Sequence, residues 1–374
     1  MAYYLDEAKS SAQRADRRLT NETASFTLVS ATEGCPQHYR HQELWFEDGN
    51  VLIITGETWF KLYRGILSML SGTFRDMFQL ADSSAGPTVG SCPTVNVTDS
   101  PVDLALFFAA LCHAGTQYVD PKPVDYCQCI TRSFPLYSPL FAYPTQLIDF
   151  RDLRKIANLA LIYDVPHIQA AIHHRLQVCF PSSLDQWDKQ YPLSCSPIEF
   201  YSDTVRLQPI DIVGVINLAR RCDTQDLLPA AFYMCSQLPV LDIMATVCYG
   251  EGDTEQLTPE DMARCLHGVE AFSGHTMIPG FDYIKYDVTT QSCSGVTADH
   301  CVNAWTKICT AYTDSFWDHS RDILYEMMKW IETVEAAGDL CDGCSRIIKQ
   351  DEQELRRLRW DELSSVFGLD ITLY

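Results

Sequence analysis

The sequence predicts an α+β protein, with a small mixed β-sheet flanked by helices and a mostly α-helical C-terminal region behind it. Between residues 44 and 62, short apolar runs are separated by turn residues, which is typical of paired strands. From Ile66 to Phe78, apolar side chains recur every three or four residues, which is the period of a helix. From residue 149 onward this helical period returns repeatedly, and it predicts the helical region.

The strands are predicted from short apolar segments and the turns between them. Residues 47–50, Glu-Asp-Gly-Asn, separate two apolar runs, and an Asp-Gly pair favours a tight hairpin because glycine adopts a positive φ without steric cost. We therefore expect a hairpin here, with its second strand at residues 51–54. Further strands are expected at residues 59–62 and 94–97, with an edge strand at 26–29.

The helices are predicted from their caps and their periodicity. A helix is expected to begin at Pro101 and to end near Gly115, because proline favours the first helical position. Two more helices flank a break at Val165-Pro166. Later helices are expected within residues 210–219, 227–238, 257–272 and 341–369. Residues 181–203 are expected to be a connector, and residues 250–253 a turn.

These elements divide the chain into three parts. Residues 1–24 are polar and mixed in charge, and they are expected to form a flexible N-terminal tail. Residues 25–180 form the sheet-containing domain, which a long proline-rich loop interrupts at residues 116–149. Residues 181–374 form the helical C-terminal region.

The composition is that of a globular protein, with 47% hydrophobic and 21% charged residues. The formal net charge of −21 argues against a nucleic-acid backbone or an anionic membrane surface as the main partner, because both attract clustered lysine and arginine. No apolar run approaches the ~18 residues of a membrane-spanning helix, and no apolar core of a secretory signal precedes residue 24. We therefore expect an intracellular protein, cytoplasmic or nuclear, whose 16 cysteines are reduced thiols.

The sharpest chemical candidate is the stretch Cys341-Asp342-Gly343-Cys344. Two thiolates at this spacing can face one Zn²⁺, and a structural zinc site needs four ligands. His300 with Cys301, or Cys309, would complete such a site, although a second Cys-x-x-Cys at the usual spacing is missing. A dithiol redox pair is an alternative. Two structural or surface thiols at a helix boundary are the preferred interpretation.

Other groupings are weaker candidates. Cys127-x-Cys129 has no histidine close in sequence. His173 and His174 project about 100° apart on a helix, so they do not converge on one ligand. Arg356-Arg357-Leu358-Arg359 is basic, but acidic residues flank it, and we expect a solvated helix face rather than a nucleic-acid site.

We expect no enzymatic activity, because the common nucleophile and phosphate-binding motifs are missing. The sequence contains no Gly-x-Ser-x-Gly, no His-Glu-x-x-His and no P-loop pattern. No catalytic residue and no organic cofactor is therefore assigned, and zinc at Cys341 and Cys344 is the one candidate cofactor.

Over residues 40–180 the order of elements resembles that of the BTB/POZ domain. The residues that carry the resemblance are Asp48 to Asn50, Phe60 to Arg64, Leu67, Ser71, Phe74 to Phe78, Val95 to Val97, Leu104 to Phe108 and Ile156 to Pro166. The rest of the chain resembles the helical region behind this domain in BTB proteins of mushroom-forming fungi, most clearly at residues 216–219 and 228–233. Glu43 stands where the family usually has Asp, and Tyr63 where it often has His.

The resemblance implies a protein-interaction module without catalysis of its own. Such domains commonly self-associate, so a homodimer is expected, and many are substrate adaptors of cullin-type ubiquitin ligases. The family often uses a hydrophobic-x-Glu element just after the Phe-x-x-Met-Phe helix for the cullin contact. Leu80-Ala81-Asp82 occupies that place here, and with Phe78 it is the expected partner-binding site. The alternative is a scaffold or corepressor-type partner in transcriptional regulation.

Overall fold

A computed structural model of the protein describes residues 26–29, 38–83, 87–89, 92–114, 147–191, 202–250, 252–273, 293, 300–307, 310, 321–324, 332, 335–338 and 340–369. The predicted N-terminal tail and most of the predicted proline-rich loop lie outside these residues. The chain divides into two compact units. One comprises Met1–Pro144 and Lys155–Ala171, and the other Thr145–Arg154 and Ile172–Tyr374. This division differs from the predicted boundary at residues 180 and 181.

The first unit contains a six-stranded mixed sheet, which confirms the predicted kind of fold. Its strands are β1 (Phe26–Val29), β2 (His38–Trp45), β3 (Val51–Thr55), β4 (Thr58–Leu62), β5 (Thr88–Val89) and β6 (Cys92–Val97). The spatial order is β1-β2-β4-β3-β6-β5. β3 and β4 are antiparallel, whereas β2 runs parallel to β4 and β6 runs parallel to β3. β1 pairs with β2 at one edge, as predicted.

The predicted hairpin at residues 47–50 is wrong, because the strands on either side of that turn do not pair with each other. β2 pairs with β4 instead, and the tight hairpin lies one connection later, where Gly56 adopts a φ of 53° between β3 and β4. Gly49 serves a different purpose. A Cβ at this position would lie 2.9 Å from the carbonyl oxygen of Phe46 and 3.0 Å from that of Leu62. Gly49 is therefore required by close backbone packing.

The helices of this region begin and end close to their predicted bounds. They are α1 (Arg64–Leu70), α2 (Gly72–Ser83), α3 (Pro101–Ala114), α4 (Phe150–Ile162) and α5 (Pro166–Cys179). The predicted break before Pro166 is confirmed, and Asp164 adopts a φ of 50° there. Proline at the first position of α5 lacks only an N–H that would have no helical partner.

An aromatic cluster forms the core of the first unit. The ring of Phe74 stacks on that of Tyr163 with centroids 4.6 Å apart, and Phe60 and Phe108 meet edge to face at 5.3 Å. All four side chains are at most 2% exposed. The Tyr163 hydroxyl donates to the carboxylate of Asp99 at 2.5 Å, which satisfies the one polar atom of the cluster.

The second unit is mainly helical in its described part. Its further helices are α6 (Leu184–Gln190), α7 (Asp211–Arg221), α8 (Leu228–Ser236), α9 (Val240–Met244), α10 (Pro259–Phe272) and α11 (Asp342–Val366). Two small sheets pair β7 (Ile148–Asp149) with β8 (Val205–Arg206), and β9 (Val247–Gly250) with β10 (Asp253–Glu255). The predicted turn between residues 250 and 253 joins β9 and β10. Helix α6 was missed, because Trp187 is its one buried side chain and a single apolar residue has no period.

Two features stabilise the core of the second unit. Helices α7 and α8 are buried on nearly every side. Arg154 is 4% exposed, and its guanidinium donates to the carboxylate of Glu255 at 2.8 Å and to that of Asp253. The guanidinium carbon of Arg154 lies 4.2 Å from the centre of the Tyr249 ring. Because both carboxylates contact it, the buried charge of Arg154 is compensated. No described helix is both long enough and apolar enough to cross a membrane.

Candidate metal centre

Four cysteine sulfurs converge in the second unit, from Cys293, Cys301, Cys341 and Cys344. Their Sγ atoms all lie within 4.8 Å of one another. Cys301 and Cys344 are buried, with exposed fractions of 1% and 0%, whereas Cys293 and Cys341 are half-buried. The cluster therefore has an interior side and a side that solvent can reach.

The start of helix α11 positions two of the four sulfurs. Cys341 is the N-cap residue with an extended backbone, and Cys344 is the third residue of the helix. Gly343 lies inside the first helical turn. Backbone N–H groups at this end have no helical acceptor, and the helix dipole favours negative charge there. The location therefore suits two thiolates.

Cys301 comes from a second helical segment, residues 300–307, whose Ala304 and Trp305 are buried at 1% and 3% exposure. Burial raises the pKa of the Cys301 thiol, and it outweighs a backbone hydrogen bond from Cys341 to the Cys301 sulfur, which lowers that pKa. The two helical segments are thus in direct contact at the cluster.

Residues beside the cluster fix the first turns of α11. The carboxylate of Glu335 accepts a hydrogen bond from the Ser345 hydroxyl at 2.8 Å and from the Lys349 ammonium at 2.6 Å. The bond from Lys349, followed by that from Ser345, holds the pKa of Glu335 below its usual value. These contacts of Glu335 are partly exposed, so they orient the start of α11 and add little to the stability of the fold.

Burial is the main electrostatic influence on the inner thiols. It raises the pKa of Cys344 well above that of a free thiol, and hydrogen bonds from neighbouring cluster sulfurs raise it further. Four thiolates at this separation would repel each other strongly without a cation between them. The arrangement therefore suits either neutral thiols or a bound cation.

The distances suit a single metal ion. In a tetrahedral site with zinc–sulfur bonds of about 2.3 Å, neighbouring sulfurs are about 3.8 Å apart. Pairs within 4.8 Å reach that geometry by approaching about 1 Å or less. A cluster of several irons also takes four thiolates, but its own size requires wider spacing. The four cysteines could thus hold one metal ion.

The sequence predicted three of these four residues. Cys341, Cys344 and Cys301 are together. The interpretation of Cys341 and Cys344 as thiols at a helix boundary agrees with their place at the start of α11. His300 is exposed and does not belong to the cluster, and Cys309 lies outside the described residues. Cys293 was missed, because it precedes Cys301 at a spacing that matches no common zinc motif. The one indication of a fourth ligand was that Cys293 lies close to Cys301 in the sequence.

The predicted partner-binding residues lie in the last turns of α2. This helix continues to Ser83, so Leu80 and Asp82 are part of it and do not follow it. Leu80 is 70% exposed, whereas Phe78 is 3% exposed and packs inside the unit. The Asp82 side chain is outside the described atoms. Leu80 is therefore exposed enough to touch a partner directly, whereas Phe78 supports the helix from within.

The weaker candidates have structural partners. His173 lies 2.9 Å from the carboxylate of Asp226. The predicted solvated face is correct for Arg357, which is 55% exposed and pairs with Glu354. It is wrong for Arg356, which is buried and donates to the carboxylate of Asp188 at 2.6 Å. Cys127 and Cys129 lie outside the described residues.

The fold and the cluster together define a class: a mixed sheet-and-helix protein whose helical unit contains four cysteines that could hold a metal ion. Comparison of the chain with protein-family models, with curated proteins and with solved structures finds no match. Its function is therefore argued from the residues themselves.

Proposed function

We propose that this is an intracellular, non-catalytic protein-interaction protein, in which Cys293, Cys301, Cys341 and Cys344 bind a structural zinc ion. The convergence of four sulfurs within 4.8 Å carries the zinc assignment. Thiolates are soft ligands that favour zinc over magnesium or calcium. Four protein ligands leave no open position for substrate, which is the pattern of a structural site and not of a catalytic one.

The zinc ion would connect segments that are distant in the chain. It joins residue 293, the helical segment 300–307 and the start of α11 at a single point. Because the complete site exists in the folded chain alone, the free energy of metal binding adds directly to the free energy of folding. The role of the metal is to fix the position of α11 on its own unit.

The zinc proposal is tested by the metal content of the purified full chain. We expect about one zinc per chain, and we expect Cys344→Ser to lose it because a buried ligand is removed. Cys248→Ser is the matched control, since Cys248 is an exposed cysteine of β9 outside the cluster. A protein without bound zinc, or a Cys344→Ser variant that retains it, would contradict the proposal.

The interaction role rests on the first unit, which we propose to be a BTB/POZ-like domain that self-associates. Its supporting observation is a pair of exposed apolar side chains on α1, Ile66 and Met69, which are 40% and 72% exposed. Leu67 of the same helix is buried. Large apolar side chains that stay exposed on a helix with a buried side are available for contact with a second copy of the chain.

Sedimentation of the full chain tests this surface. We expect a dimer at micromolar concentration, and we expect Met69→Glu to shift it to a monomer, because a charge would be buried in the contact. Leu241→Glu is the control, since Leu241 is 81% exposed on α9 in the other unit. If the native chain sediments as a strict monomer, or if both variants behave alike, the self-association proposal is wrong.

We propose further that the protein acts as a substrate adaptor of a cullin-type ubiquitin ligase, with Leu80 in the contact. The exposed position of Leu80 at the end of α2 supports this.

A further inference from the structure

We propose that oxidation controls zinc binding at the four-cysteine centre. A peroxide oxidises one of the two half-buried cysteines, Cys293 or Cys341, and the zinc ion is released. This inference rests on the proposed zinc site and adds its regulation. It is carried by two independent observations, the unequal burial of the four sulfurs and their short mutual distances.

The burial of the sulfurs determines where oxidation begins. Cys301 and Cys344 are at most 1% exposed, while Cys293 and Cys341 are half-buried and can be reached by a small oxidant. Oxidation by peroxide selects accessible thiolates. Zinc keeps its cysteine ligands deprotonated, so all four remain nucleophilic and accessibility decides among them.

The distances between the sulfurs determine the second step of the oxidation. A disulfide requires a sulfur–sulfur bond of about 2.05 Å. Every pair in the cluster starts within 4.8 Å, so a resolving thiolate is already beside the oxidised sulfur. Cys341 is also the N-cap of α11 and has an extended backbone, so it precedes the residues with helical backbone. The site therefore favours a disulfide over further oxidation of a single sulfur.

The chemistry balances with a peroxide as the two-electron oxidant. The thiolate of Cys293 or Cys341 attacks the peroxide, the O–O bond breaks, and the sulfur becomes a sulfenic acid while the departing hydroxide takes a proton to form water. A second cluster thiolate attacks the sulfenic sulfur, an S–S bond forms, and a second hydroxide leaves as water. Zinc then retains two ligands and dissociates, and the two remaining thiolates take up protons from solvent.

The loss of the ion would loosen one end of α11 and leave the other end in place. Near the cluster, the contacts of Glu335 with Ser345 and Lys349 are partly exposed and hold this end of the helix only weakly. Farther along the helix, Arg356 is bound by Asp188, and the ring of Trp360 lies 5.5 Å from that of Trp187. The structural response is therefore expected in the first turns of α11 and in residues 300–307.

The experiment treats the zinc-loaded full chain with increasing hydrogen peroxide. Released zinc is measured with a colorimetric chelator, and the disulfides are mapped by differential alkylation and mass spectrometry. We expect about one zinc released per disulfide formed, and a first disulfide that contains Cys293 or Cys341. A thiol reductant with added zinc restores the metal content, and Cys248→Ser behaves as the native chain.

Two results would overturn the inference while leaving the zinc site intact. One is zinc that stays bound when exposed Cys248 is already fully oxidised, and the other is a first disulfide between Cys301 and Cys344. A chain that contains no zinc before treatment contradicts the proposed site itself, and with it this regulation. The metal content before oxidation therefore separates the two failures.

Discussion

His41 is a buried histidine on β2 with a consequence for stability. It is 2% exposed, its ring stacks on Phe60 at 5.3 Å, and its Nδ1 atom accepts a hydrogen bond from the backbone N–H of Leu44 at 3.2 Å. Burial lowers the pKa of His41 to about 4. The acceptor nitrogen must be unprotonated, so the folded chain holds this histidine neutral.

The pKa of His41 predicts a loss of stability in acid. The folded-state pKa of His41 lies below the ordinary value of about 6.5. The stability that neutral His41 contributes is therefore complete above that pH, and it is lost as the pH falls towards about 4. The loss by pH 5 is on the order of 2 kcal/mol. We expect His41→Asn, which keeps an acceptor near the Nδ1 position, to reduce the difference between melting temperatures at pH 7.5 and pH 5.

His174→Asn is the control for this prediction, since His174 is an exposed histidine. It is expected to leave the difference in melting temperature unchanged. Comparison of the two variants removes the effect of acid on the cysteine centre, because that effect is common to both. An equal acid dependence in the native chain and His41→Asn would show that His41 is not the residue responsible.

For single residues, the sequence indicated which side chains could bind a metal or form an ion pair. It did not indicate which of them the fold buries or brings together. Cys341 and Cys344 were named from their spacing and Cys301 as one possible further ligand, but Cys293 was not named, because its approach to them depends on the fold. Similarly, Arg356 and Arg357 are adjacent in the sequence, yet one is buried against Asp188 and the other is exposed. Helical rotation separates neighbours by about 100°, and composition cannot specify which one faces inward.

Among the elements, position was predictable and pairing was not. The strands predicted at residues 51–54 and 59–62 from short apolar runs are β3 and β4, and the helix from Pro101 followed from its cap. The pairing of β2 with β4 did not follow, because an Asp-Gly turn predicts a change of direction and not the identity of the neighbouring strand. The β9–β10 hairpin was missed as well, because strands of four and three residues give too few positions for a period.

The last turns of α2 lead to a prediction at the same scale. If Leu80 lies in a contact with a cullin scaffold, Leu80→Arg should reduce binding at least tenfold, because an exposed apolar contact is replaced by a charge. The measurement is a pulldown of the full chain with a purified cullin scaffold. Val102→Arg is the control, since Val102 is 46% exposed on α3 of the same unit. Recovery of no cullin by the native chain, or equal binding by both variants, would remove the adaptor role.

In the whole molecule, the two units contain different features. The first unit has a mixed sheet and exposed apolar side chains on α1 and α2. The second unit is stabilised by the buried Arg154 network and by tightly buried helices, and it contains the four-cysteine centre. The sequence predicted a sheet followed by helices, but it could not predict that cysteines from separate segments converge. Such convergence depends on tertiary packing alone.

X-ray absorption at the zinc edge measures whether the four cysteine thiolates bind the proposed zinc ion. For the purified full chain, we expect a first coordination shell of four sulfurs at about 2.3 Å. Replacement of Cys293 by Ser should change this shell, because Cys293 is one of the four ligands. A shell dominated by nitrogen or oxygen at about 2.0–2.1 Å, or a chain without zinc, would show that the four cysteines do not form a zinc site.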